Sequence, residues 1–591
     1  MIAASLKIRL ELKGPVMTKA TALGGFGLDA VMAQSDGQYY LPGTLVKGRL
    51  REAWQELQAA APAQADWPID EWLGLVTGNR RSKTPSFAPS RSRIVFGDFR
   101  DPKPVQTQAD TRYRIKMDEA RGSVERGAFL VLEAPYASGE SCIFESRAFL
   151  LARNPAEMDR MHLAVEAGLR WISSLGAEKS VGFGEVISVK IDRQSALPFV
   201  RDTTLPPGER YALRLRFTEP FAVANRRAGQ NLFEGDEIIP GAALRGAIAE
   251  LLKHGLADSF AALANHLDAV RFTHAFPAPH VTPRPHHYPL SLFMVASRMH
   301  DGALLQEPPP DLPGVPEFDL DWKDPSVGPV LMGWPEVNNE LRVRTAIESE
   351  TARARDQALF GIRLVVPGKL EWACELDLSR IVDTGTRAVV AQQLAGIFKV
   401  GLSGIGKTKA FAEPLDFGVA RPPPLPAKIK GKWIVCLQTP ALLLNPGGDA
   451  ELRTAEQMQQ AYRDVWSELS GNSLRLSGYF QRTTLAGGDY LHNRFRRRHQ
   501  YKPYLLTCAG SVFVFDEVGA AAEAVLQKWL KQGLPLTSGA RAFYCDHAPP
   551  VAPGDNDANL WNHCPYIAEN GYGEIALNLP VHTDKAWGDN A

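Results

Sequence analysis

The sequence lacks the features that mark secreted and membrane proteins. Its six cysteines are scattered without a C-x-x-C pair, which fits a reducing compartment rather than a disulfide framework. No run of about eighteen apolar residues occurs, so no membrane span is expected. The first ten residues alternate as in a strand and lack the apolar run of a signal peptide. We therefore expect a cytoplasmic protein with no membrane partner.

The sequence also lacks a net charge, since 66 basic residues balance 66 acidic ones. No global basic field therefore indicates nucleic acid. Basic residues are nevertheless locally dense, within 80–103 and again at 494–498. Segment 80–103 is polar and irregular, and is either a solvated insertion or a protrusion that crosses RNA or a neighbouring subunit. At 591 residues, the chain is long enough for about three or four domains.

The first fifty residues combine a glycine-rich loop, one carboxylate and a basic helix. The loop carries Asp29, and Pro42-Gly43 then begins a helix with Lys47, Arg49 and Arg51 in its first turns. Helix N-termini and glycine backbone suit phosphates, because free N–H groups point outward there. Basic side chains add charge-assisted contacts. The segment therefore predicts a cradle for backbone phosphates with an acid beside it.

The same outline recurs along the chain. The Pro-Gly turn at 41–48 returns at 239–246, and Gly182-Phe183-Gly184 has counterparts at 401–407 and 570–575. Strand–helix–strand–strand–helix–strand is the ferredoxin-like order, which RNA-recognition modules share. The pattern predicts an α+β protein of tandem ferredoxin-like (RRM-like) domains with loop insertions. The predicted boundaries are 1–205 (unit 1), 206–420 (unit 2), a Pro-rich linker at 421–430, and 431–591 (unit 3).

The Pro-Gly segment also resembles a known family. Residues 41–51, LPGTLVKGRLR, resemble the I-P-G-S-S-L-K-G-x-x-R signature of the RAMP superfamily, the RNA-binding backbone proteins of type III CRISPR effector complexes. Unit 1 is similar to the repeating backbone subunit of Csm and Cmr complexes. Units 2 and 3 resemble the large RAMP subunit of subtype III-D, on residues 270–277 and 288–292. The resemblance implies a fused subunit that binds guide RNA, complementary target RNA and other effector subunits.

The resemblance also implies a catalytic residue. In the family, an aspartate about thirteen residues before the Pro-Gly turn carries metal-dependent cleavage of target RNA, and Asp29 stands thirteen residues before Pro42. Asp29 would hold Mg²⁺ or Mn²⁺. The alternative is a structural role for Asp29 in its turn. Unit 2 has Arg227 at the corresponding position, so it is expected to bind RNA without cleaving it.

The predicted RNA contacts are basic residues and glycines of the repeated segments. They are Lys47, Arg49, Arg51, Lys179, Gly182, Gly184, Arg226, Arg227, Arg245, Gly404, Gly406, Lys407, Lys409, Arg494, Arg496 and Arg497.

Four other interpretations stay open. Gly401 to Thr408 satisfies the P-loop expression, but the flanking sequence does not supply the strand and helix that a P-loop needs. His274, His280, His286 and His287 carry the group needed for acid–base processing of guide RNA. Cys545, His547, His563 and Cys564 have zinc-ligand chemistry without standard spacing, so zinc is not expected. A scaffold that binds RNA without cleaving it is the remaining alternative.

Overall fold

The structure of the protein is a computed structural model of mixed helices and mostly antiparallel strands. It describes residues 1–20, 27–74, 92–105, 110–118, 120–201, 203–223, 226–227, 231–280, 282–287, 289, 332–347, 354–429, 431–444, 454–495, 501–545 and 560–579. None of the helices in these ranges is long and apolar enough to cross a membrane. The predicted α+β class is confirmed.

Unit 1 is built on one antiparallel sheet with two helices on one face. Its elements are the strand Ile2–Lys13, the helix Gly43–Ala60, a second strand in two segments (Ile94–Phe96 and Phe99–Pro104), the strand Ser141–Ala152, the helix Pro155–Trp171 and the strand Glu185–Arg193. The sheet order is fourth, first, third, second. The first strand pairs with the third from Ile2 opposite Ala152 to Lys13 opposite Ser141. This is the arrangement of a ferredoxin-like βαββαβ unit.

The two helices of unit 1 pack closely because their sequences allow it. Asn154 caps the second helix by accepting a hydrogen bond from the Glu157 N–H at 2.9 Å, and Pro155 follows at the first helical position. Trp54 of the first helix donates its indole N–H to the Ala164 carbonyl at 2.7 Å. Gly168 leaves room for this contact, since a Cβ there would lie 2.5 Å from the Trp54 ring.

Unit 2 repeats the arrangement. Its elements are the strand Arg210–Phe217, the helix Gly241–Leu251, the short strands Arg271–Phe272 and Phe276–Ala278, the strand Glu371–Asp377, the helix Thr384–Phe398 and the strand Ala410–Val419. Leu402–Ile405 adds an edge strand beside Ala410–Val419. The sheet order is second, third, first, fourth, which is the same order as in unit 1 read from the opposite edge.

Unit 3 repeats it once more with shorter strands. Its elements are the strand Trp433–Leu437, the helix Ala455–Ser470, the strands Leu474–Phe480 and Val512–Glu517, the helix Ala522–Gln532 and the strand Ile575–Leu577. The sheet order is again second, third, first, fourth. Thr454 and Gln457 form a reciprocal capping box at the start of the first helix. The described residues therefore form three copies of one topology.

Two β-hairpins project from these units. Hairpin 1 consists of Asp110–Asp118 and Ser123–Ala134, and hairpin 2 consists of Asn338–Ile347 and Ala354–Val366. They occupy the same place in units 1 and 2, between the second and third strands. Both pair antiparallel, and their sequences begin alike, with Asp110-Thr111-Arg112-Tyr113-Arg114 matching Glu340-Leu341-Arg342-Val343-Arg344.

The remaining elements are short. The strands are Lys19–Ala20, Val31–Met32, Gln34–Ser35, Gln38–Leu41, Leu197–Pro198, Arg226–Arg227, Leu232–Glu234, Thr483–Ala486 and Tyr504–Thr507. The helices are Ile69–Leu73, Leu252–Leu256 (a π-helix), Ala261–His266, Asp489–Phe495 and Ser538–Tyr544, and 3₁₀ turns lie at Lys179–Val181, Leu267–Ala269, Leu560–Asn562 and Ala568–Asn570.

Units 1 and 2 share an interface of apolar and charged contacts. Phe149 packs against Phe411 with ring centroids 4.8 Å apart. Arg342 of hairpin 2 donates to Asp98 of unit 1 at 2.6 Å, and its guanidinium lies 4.6 Å from the centre of the Tyr40 ring. Hairpin 2 thus contacts unit 1 at two places, between the two segments of its second strand and just before its first helix.

Units 2 and 3 share an interface of buried arginines. Arg271 donates to the backbone carbonyls of Ala568 and Lys531. Arg284 binds Glu574 through both of its terminal nitrogens. Because these donations cross from unit 2 to unit 3, unit 3 is held against unit 2 by contacts that neither unit supplies alone.

Candidate nucleic-acid interface

Asp29 lies on the surface at the base of hairpin 1. Its backbone N–H donates to the Val131 carbonyl at 2.9 Å, and its Oδ2 accepts the Val131 N–H at 2.7 Å. Ala30, the next residue, forms a parallel bridge with Leu132. The side chain is exposed, so the carboxylate is fixed in direction by hairpin 1 and still open to a ligand.

The donor set around Asp29 fits a cation that is shared with RNA. No group of three His, Cys, Asp or Glu side chains suited to a metal occurs among the described residues, so a resident ion would lack ligands. Mg²⁺ is commonly bound by one or two carboxylates together with substrate phosphates. Because Oδ2 of Asp29 accepts the Val131 N–H, Oδ1 is the oxygen that would ligate such a cation.

Hairpin 1 presents an apolar face beside Asp29. Tyr113 and Phe129 are 65% and 56% exposed, and their rings stack with centroids 5.7 Å apart. Ile115 and Met117 extend the same exposed face. Exposed aromatic rings of this kind offer stacking platforms for nucleobases. This face was not among the sequence predictions, although the alternation over 110–118 is the signal that could have indicated it.

The basic residues of the first helix in unit 1 have different surroundings. Arg51 binds Asp70 at 2.6 Å, and Arg49 is paired with Glu52, so both are engaged within the protein. Lys47 is half-buried. Burial, and then the charges of Lys409 and Arg51, lower the pKa of Lys47 to about 7.

The N-terminus of this helix is already occupied by a carboxylate. The N–H of Gly43 donates to Oδ1 of Asp98 at 3.0 Å, and Asp98 also binds Arg342. An acidic side chain at a helix N-terminus satisfies a free N–H and complements the helix dipole. The backbone at Gly43 is therefore not available as the predicted phosphate cradle, and the basic side chains remain the candidates.

The glycine loop of unit 1 contains one exposed glycine and one buried glycine. Gly182 is exposed with a φ of +87°. Gly184 is buried, its N–H donates to the Pro15 carbonyl at 2.8 Å, and an added Cβ would overlap the Leu175 carbonyl. The protein itself therefore uses the amide of Gly184, and a contact of this residue with RNA stays a prediction. Lys179 is exposed, and burial followed by the charge of Arg49 lowers its pKa.

The glycine loop of unit 2 is a tight β-hairpin. Gly404 has a φ of +80° within the strand Leu402–Ile405, and Gly406 has a φ of +68° in the turn before the strand Ala410–Val419. The strand-then-helix context of a P-loop is absent from this described segment, so the phosphate-loop interpretation fails. A Cβ at Gly406 would overlap the Ala222 carbonyl, so this glycine is a packing residue as well.

Two lysines extend from this loop. The N–H of Lys407 donates to the Ala222 carbonyl at 2.9 Å, and its amine lies 3.2 Å from the centre of the Phe233 ring. Burial and the charge of Arg344 lower the pKa of Lys407. Lys409 follows at a φ of +56°, and its charge is one of the causes that lower the pKa of Lys47 in unit 1. The structure thus brings together basic residues that are more than three hundred positions apart in the sequence.

Arg245 does not belong to an exposed basic surface. Its side chain is 6% exposed, and it binds Asp268 at 3.1 Å and Asn570 at 3.2 Å. Unit 3 covers Arg245 in this structure, and a contact of this residue with RNA stays a prediction. Arg226 and Arg227 form a short strand paired with Leu232–Glu234, and only their backbone is described. Arg494 is exposed in the helix Asp489–Phe495, and Arg496 and Arg497 lie outside the described residues.

The glycine loop of unit 3 is buried against unit 2. Its N–H at Gly573 donates to the Pro440 carbonyl at 2.9 Å, and Thr439 donates to the Gly571 carbonyl at 2.8 Å. A Cβ at Gly241 would lie 2.8 Å from the Asn570 carbonyl oxygen. The third loop therefore serves as an interface element between units 2 and 3.

The histidines do not form a catalytic cluster in the described part of the chain. His274 is buried against Tyr572 at 4.7 Å between ring centroids, and burial lowers its pKa to about 3. His280 is paired with Glu371, whereas His286 lies 3.3 Å from Gln438. A neutral, buried imidazole cannot exchange protons with RNA at neutral pH, so His274 is structural.

The cysteine–histidine set gives no zinc site among the described residues. Cys545 and Cys564 are buried thiols in the same small apolar cluster. His547 lies outside the described residues.

Comparisons with known proteins agree with the N-terminal motifs. The model of the RAMP superfamily matches residues 9–187. Comparison with curated proteins gives no match. A chain in the cryo-EM structure of the type III-B Cmr-beta bound to cognate target RNA and AMPPnP is similar at 12% identity and a TM-score of 0.30, over 55% of this chain and 95% of that chain. A chain in the structure bound to cognate target RNA is similar at 14% identity and a TM-score of 0.22, over 32% of this chain and 61% of that chain. The similarity to the RAMP superfamily therefore lies within unit 1 of this chain.

Proposed function

We propose that this chain is a fused RAMP subunit of a type III CRISPR effector complex that binds guide RNA and complementary target RNA. Asp29 cleaves the target with the help of a divalent cation, Mg²⁺ or Mn²⁺. The observation that carries the proposal is the placement of Asp29 within the RAMP domain: it is exposed, and hairpin 1 fixes its carboxylate from one side only. The guide supplies sequence specificity by base pairing, whereas the protein contacts backbone and stacked bases.

The chemistry follows from what each group near hairpin 1 can do. A cation bound at the scissile phosphate would stabilise the charge that develops on its oxygens. Asp29 Oδ1 would hold that cation, while the hydrogen bond from Val131 to Oδ2 keeps the carboxylate from rotating. The exposed rings of Tyr113 and Phe129 hold bases out of the stack, which orients the strand at the carboxylate.

The test is Asp29→Asn in the full chain, assembled with guide RNA and partner subunits. Asparagine keeps an oxygen that accepts the Val131 N–H, so the fold and hairpin 1 are retained. Cleavage of a guide-complementary RNA at the site served by this subunit is expected to fall at least about a hundredfold, while target binding is unchanged. Gel analysis of a labelled target and filter binding measure the two properties.

A matched control separates catalysis from a general loss of negative charge. Asp159→Asn removes an exposed carboxylate on the helix Pro155–Trp171, where it binds Arg193, and should cleave normally. If Asp29→Asn cleaves as fast as the natural chain, the subunit is a scaffold that binds RNA without cutting it. A chain that shows no affinity for RNA would contradict the proposal as a whole.

A further inference from the structure

The acidic segment of unit 1 has a structural counterpart in unit 2. In unit 1, Ala30 forms a parallel bridge with Leu132, on the second strand of hairpin 1. In unit 2, the strand Leu232–Glu234 runs parallel to the second strand of hairpin 2, with Phe233 opposite Ile362. A short parallel segment therefore lies against the base of both hairpins.

The registers of the two hairpins show which residues correspond. Arg112 lies opposite Leu132 in hairpin 1, and Arg342 lies opposite Ile362 in hairpin 2. The two arginines hold the same place in the matching sequences at the start of the hairpins. In each hairpin, the register also shifts directly after the third residue beyond the arginine. Leu132 and Ile362 are therefore equivalent.

It follows that Leu232 stands where unit 1 has Asp29. Phe233 corresponds to Ala30, because each is paired with the equivalent residue of its hairpin. Leu232 and Asp29 come directly before them in the sequence. Arg227, for which the sequence spacing indicated this position, lies opposite Phe233 on the neighbouring strand. The structure thus puts a leucine in the place of the acid.

The surroundings of Leu232 are apolar. A Cβ on Gly361 would lie 3.2 Å from a methyl carbon of Leu232 and 3.3 Å from one of Leu341, so both leucines cover this glycine. Leu341 is 45% exposed, and Leu359, on the second strand of hairpin 2, is 59% exposed. Exposed apolar side chains thus occur on both hairpins, whereas the position of the acid is apolar in unit 2.

The charged residues beside this position offset each other. Glu234, two residues beyond Leu232, lies 3.9 Å from Arg363 on the adjoining strand of hairpin 2. The pair therefore adds no net charge to the base of the hairpin. A carboxylate at position 232 would meet no excess of positive charge from these two side chains.

One hydrogen bond differs between the two bases. The N–H of Val131 holds the Asp29 carboxylate at 2.7 Å. The equivalent N–H in unit 2, that of Gly361, donates to the backbone carbonyl of Asn231 at 2.8 Å. A carboxylate at position 232 would therefore be oriented less firmly than Asp29.

We propose that Leu232 is the residue that restricts cleavage of target RNA to unit 1. The base of hairpin 2 retains the parallel segment, the hairpin register and the exposed apolar side chains found in unit 1, and it lacks the carboxylate. This inference rests on the proposed function, because it takes Asp29 as the acid that supports cleavage. It adds that unit 2 holds the target in a similar geometry and leaves it uncut because one side chain differs.

An acid restored at position 232 should therefore support a second cut with Mg²⁺ or Mn²⁺. The cut balances within the RNA. The 2′-oxygen bonds to phosphorus, the bond from phosphorus to the 5′-oxygen breaks, and the proton that the 2′-hydroxyl loses to water is matched by one that the 5′-oxygen gains from water. The products carry a 2′,3′-cyclic phosphate and a 5′-hydroxyl.

The experiment installs the acid. Leu232→Asp is assembled as the full chain with guide RNA and partner subunits, and cleavage of an end-labelled, guide-complementary RNA is followed on gels. We expect a second product that the natural chain does not give and that a chelator of divalent ions suppresses. Because the amide of Gly361 is already engaged, this cut should be about tenfold slower than the cut at Asp29.

Matched variants separate the new acid from other effects. Leu232→Asn has nearly the same shape without the charge and should give the natural pattern. Leu232→Glu carries the carboxylate on a longer side chain and is made in parallel, so that the test does not depend on the folding of one variant. Leu232 is half-buried, and thermal unfolding checks each variant. Asp29→Asn combined with Leu232→Asp should lose the natural product and keep the new one.

The outcomes are distinct. If both acidic variants give only the natural product, Leu232 does not restrict cleavage and the inference is wrong, while the proposed function stands on the loss of cleavage in Asp29→Asn. A new product that also forms with Leu232→Asn would come from altered packing and would likewise overturn the inference. If Asp29→Asn cleaves as fast as the natural chain, the proposed function fails and the inference fails with it.

Discussion

At the scale of single residues, the two glycines of one loop have opposite roles. Gly182 is exposed, and nothing lies within 4 Å of the position its Cβ would take. Gly184 donates its amide to Pro15 and faces the Leu175 carbonyl. Both have positive φ angles, which the sequence pattern indicates correctly. The sequence cannot show which of the two is packed, because the neighbours of Gly184 come from other segments.

The pair gives a matched test of stability. Gly182→Ala should lower the free energy of unfolding by about 1 kcal/mol, the cost of a left-handed backbone for alanine. Gly184→Ala adds overlap with backbone atoms and should cost more than about 2 kcal/mol. Urea unfolding followed by circular dichroism measures both. Equal losses for the two variants would contradict the packing role of Gly184.

Glu574 is the residue whose charge most depends on its surroundings. Burial alone would raise its pKa, but the charge and hydrogen bonds of Arg284, with the charges of Arg271 and Arg210, lower it to about 2. The ion pair joins unit 3 to unit 2. A carboxylate whose pKa is lowered in the folded state stabilises the fold at pH values above its pKa in the unfolded chain. This contribution is lost as the pH falls toward the pKa in the folded state.

The consequence is a defined window of acid sensitivity. The contribution of Glu574 should be complete above about pH 4.5 and should disappear as pH falls toward about 2. Glu574→Gln leaves Arg284 buried without a charged partner and should destabilise the chain by about 3 kcal/mol at neutral pH. Thermal unfolding across pH measures this, and the difference between the variant and the natural chain should shrink in acid. A constant difference down to about pH 2 would contradict it.

At the scale of elements, hairpin 1 binds Asp29 and also carries exposed aromatic rings. Its inward-facing Arg114 is paired with Glu178, whereas Tyr113 and Phe129 face solvent. The hairpin also holds Asp29 through Val131. One element therefore positions both the proposed ligand for the cation and the proposed stacking surface.

Replacing the stacked rings should reduce RNA binding without loss of stability. The double variant Tyr113→Ser, Phe129→Ser should weaken binding of single-stranded RNA by about 1–3 kcal/mol for each base stack lost. Its free energy of unfolding should change by less than about 1 kcal/mol, because both side chains are exposed. Leu163→Ser, at a 61% exposed position on the helix Pro155–Trp171, is the control. Equal RNA affinities for the natural chain, the double variant and the control would show that hairpin 1 does not contact RNA.

The segment 401–419 shows how far a motif can be interpreted. The spacing of Gly401, Gly406 and Lys407 satisfies a phosphate-loop expression, yet the segment is a hairpin. The flanking residues decide this: the helix Thr384–Phe398 precedes the glycines, and a strand follows them. Periodicity on both sides of the motif was visible in the sequence, so this part of the fold could be predicted.

At the scale of the whole molecule, the architecture could be predicted from the repeated motifs, whereas the contacts between the units could not. The three glycine loops and the two Pro-Gly turns indicate one topology used repeatedly, and the three sheets share one strand order. The burial of Arg245 depends on Asn570, which is 325 positions away. No local pattern reports such a contact. The exposed position of Asp29 followed from the motif, but its bond to Val131 did not.

The interface of units 1 and 2 depends on Arg342. Its side chain is 9% exposed and joins Asp98 of unit 1 to Glu340 of hairpin 2. Arg342→Met leaves two carboxylates without their cation and should destabilise this interface by about 3–5 kcal/mol. Limited proteolysis and calorimetry should show unit 1 melting separately from unit 2.

A control on the same hairpin sharpens the result. Arg363 is 53% exposed and lies 3.9 Å from Glu234. Arg363→Met should therefore cost less than about 1 kcal/mol and should preserve a single melting transition for units 1 and 2. Two transitions in both variants would mean that hairpin 2 does not hold the units together.

The hydrogen-bonded amides of the three glycine loops offer a way to observe each unit alone. The N–H groups of Gly184, Lys407 and Gly573 each donate to a carbonyl just after the first strand of their unit, at Pro15, Ala222 and Pro440. Such hydrogens exchange with heavy water only when their surroundings open. Mass spectrometry of deuterium uptake in these three peptides would thus report three local opening free energies from one polypeptide. Binding of a nucleic acid across units 1 and 2 should slow exchange at the amides of Gly184 and Lys407. Exchange at the amide of Gly573 should be unchanged and serves as the internal reference.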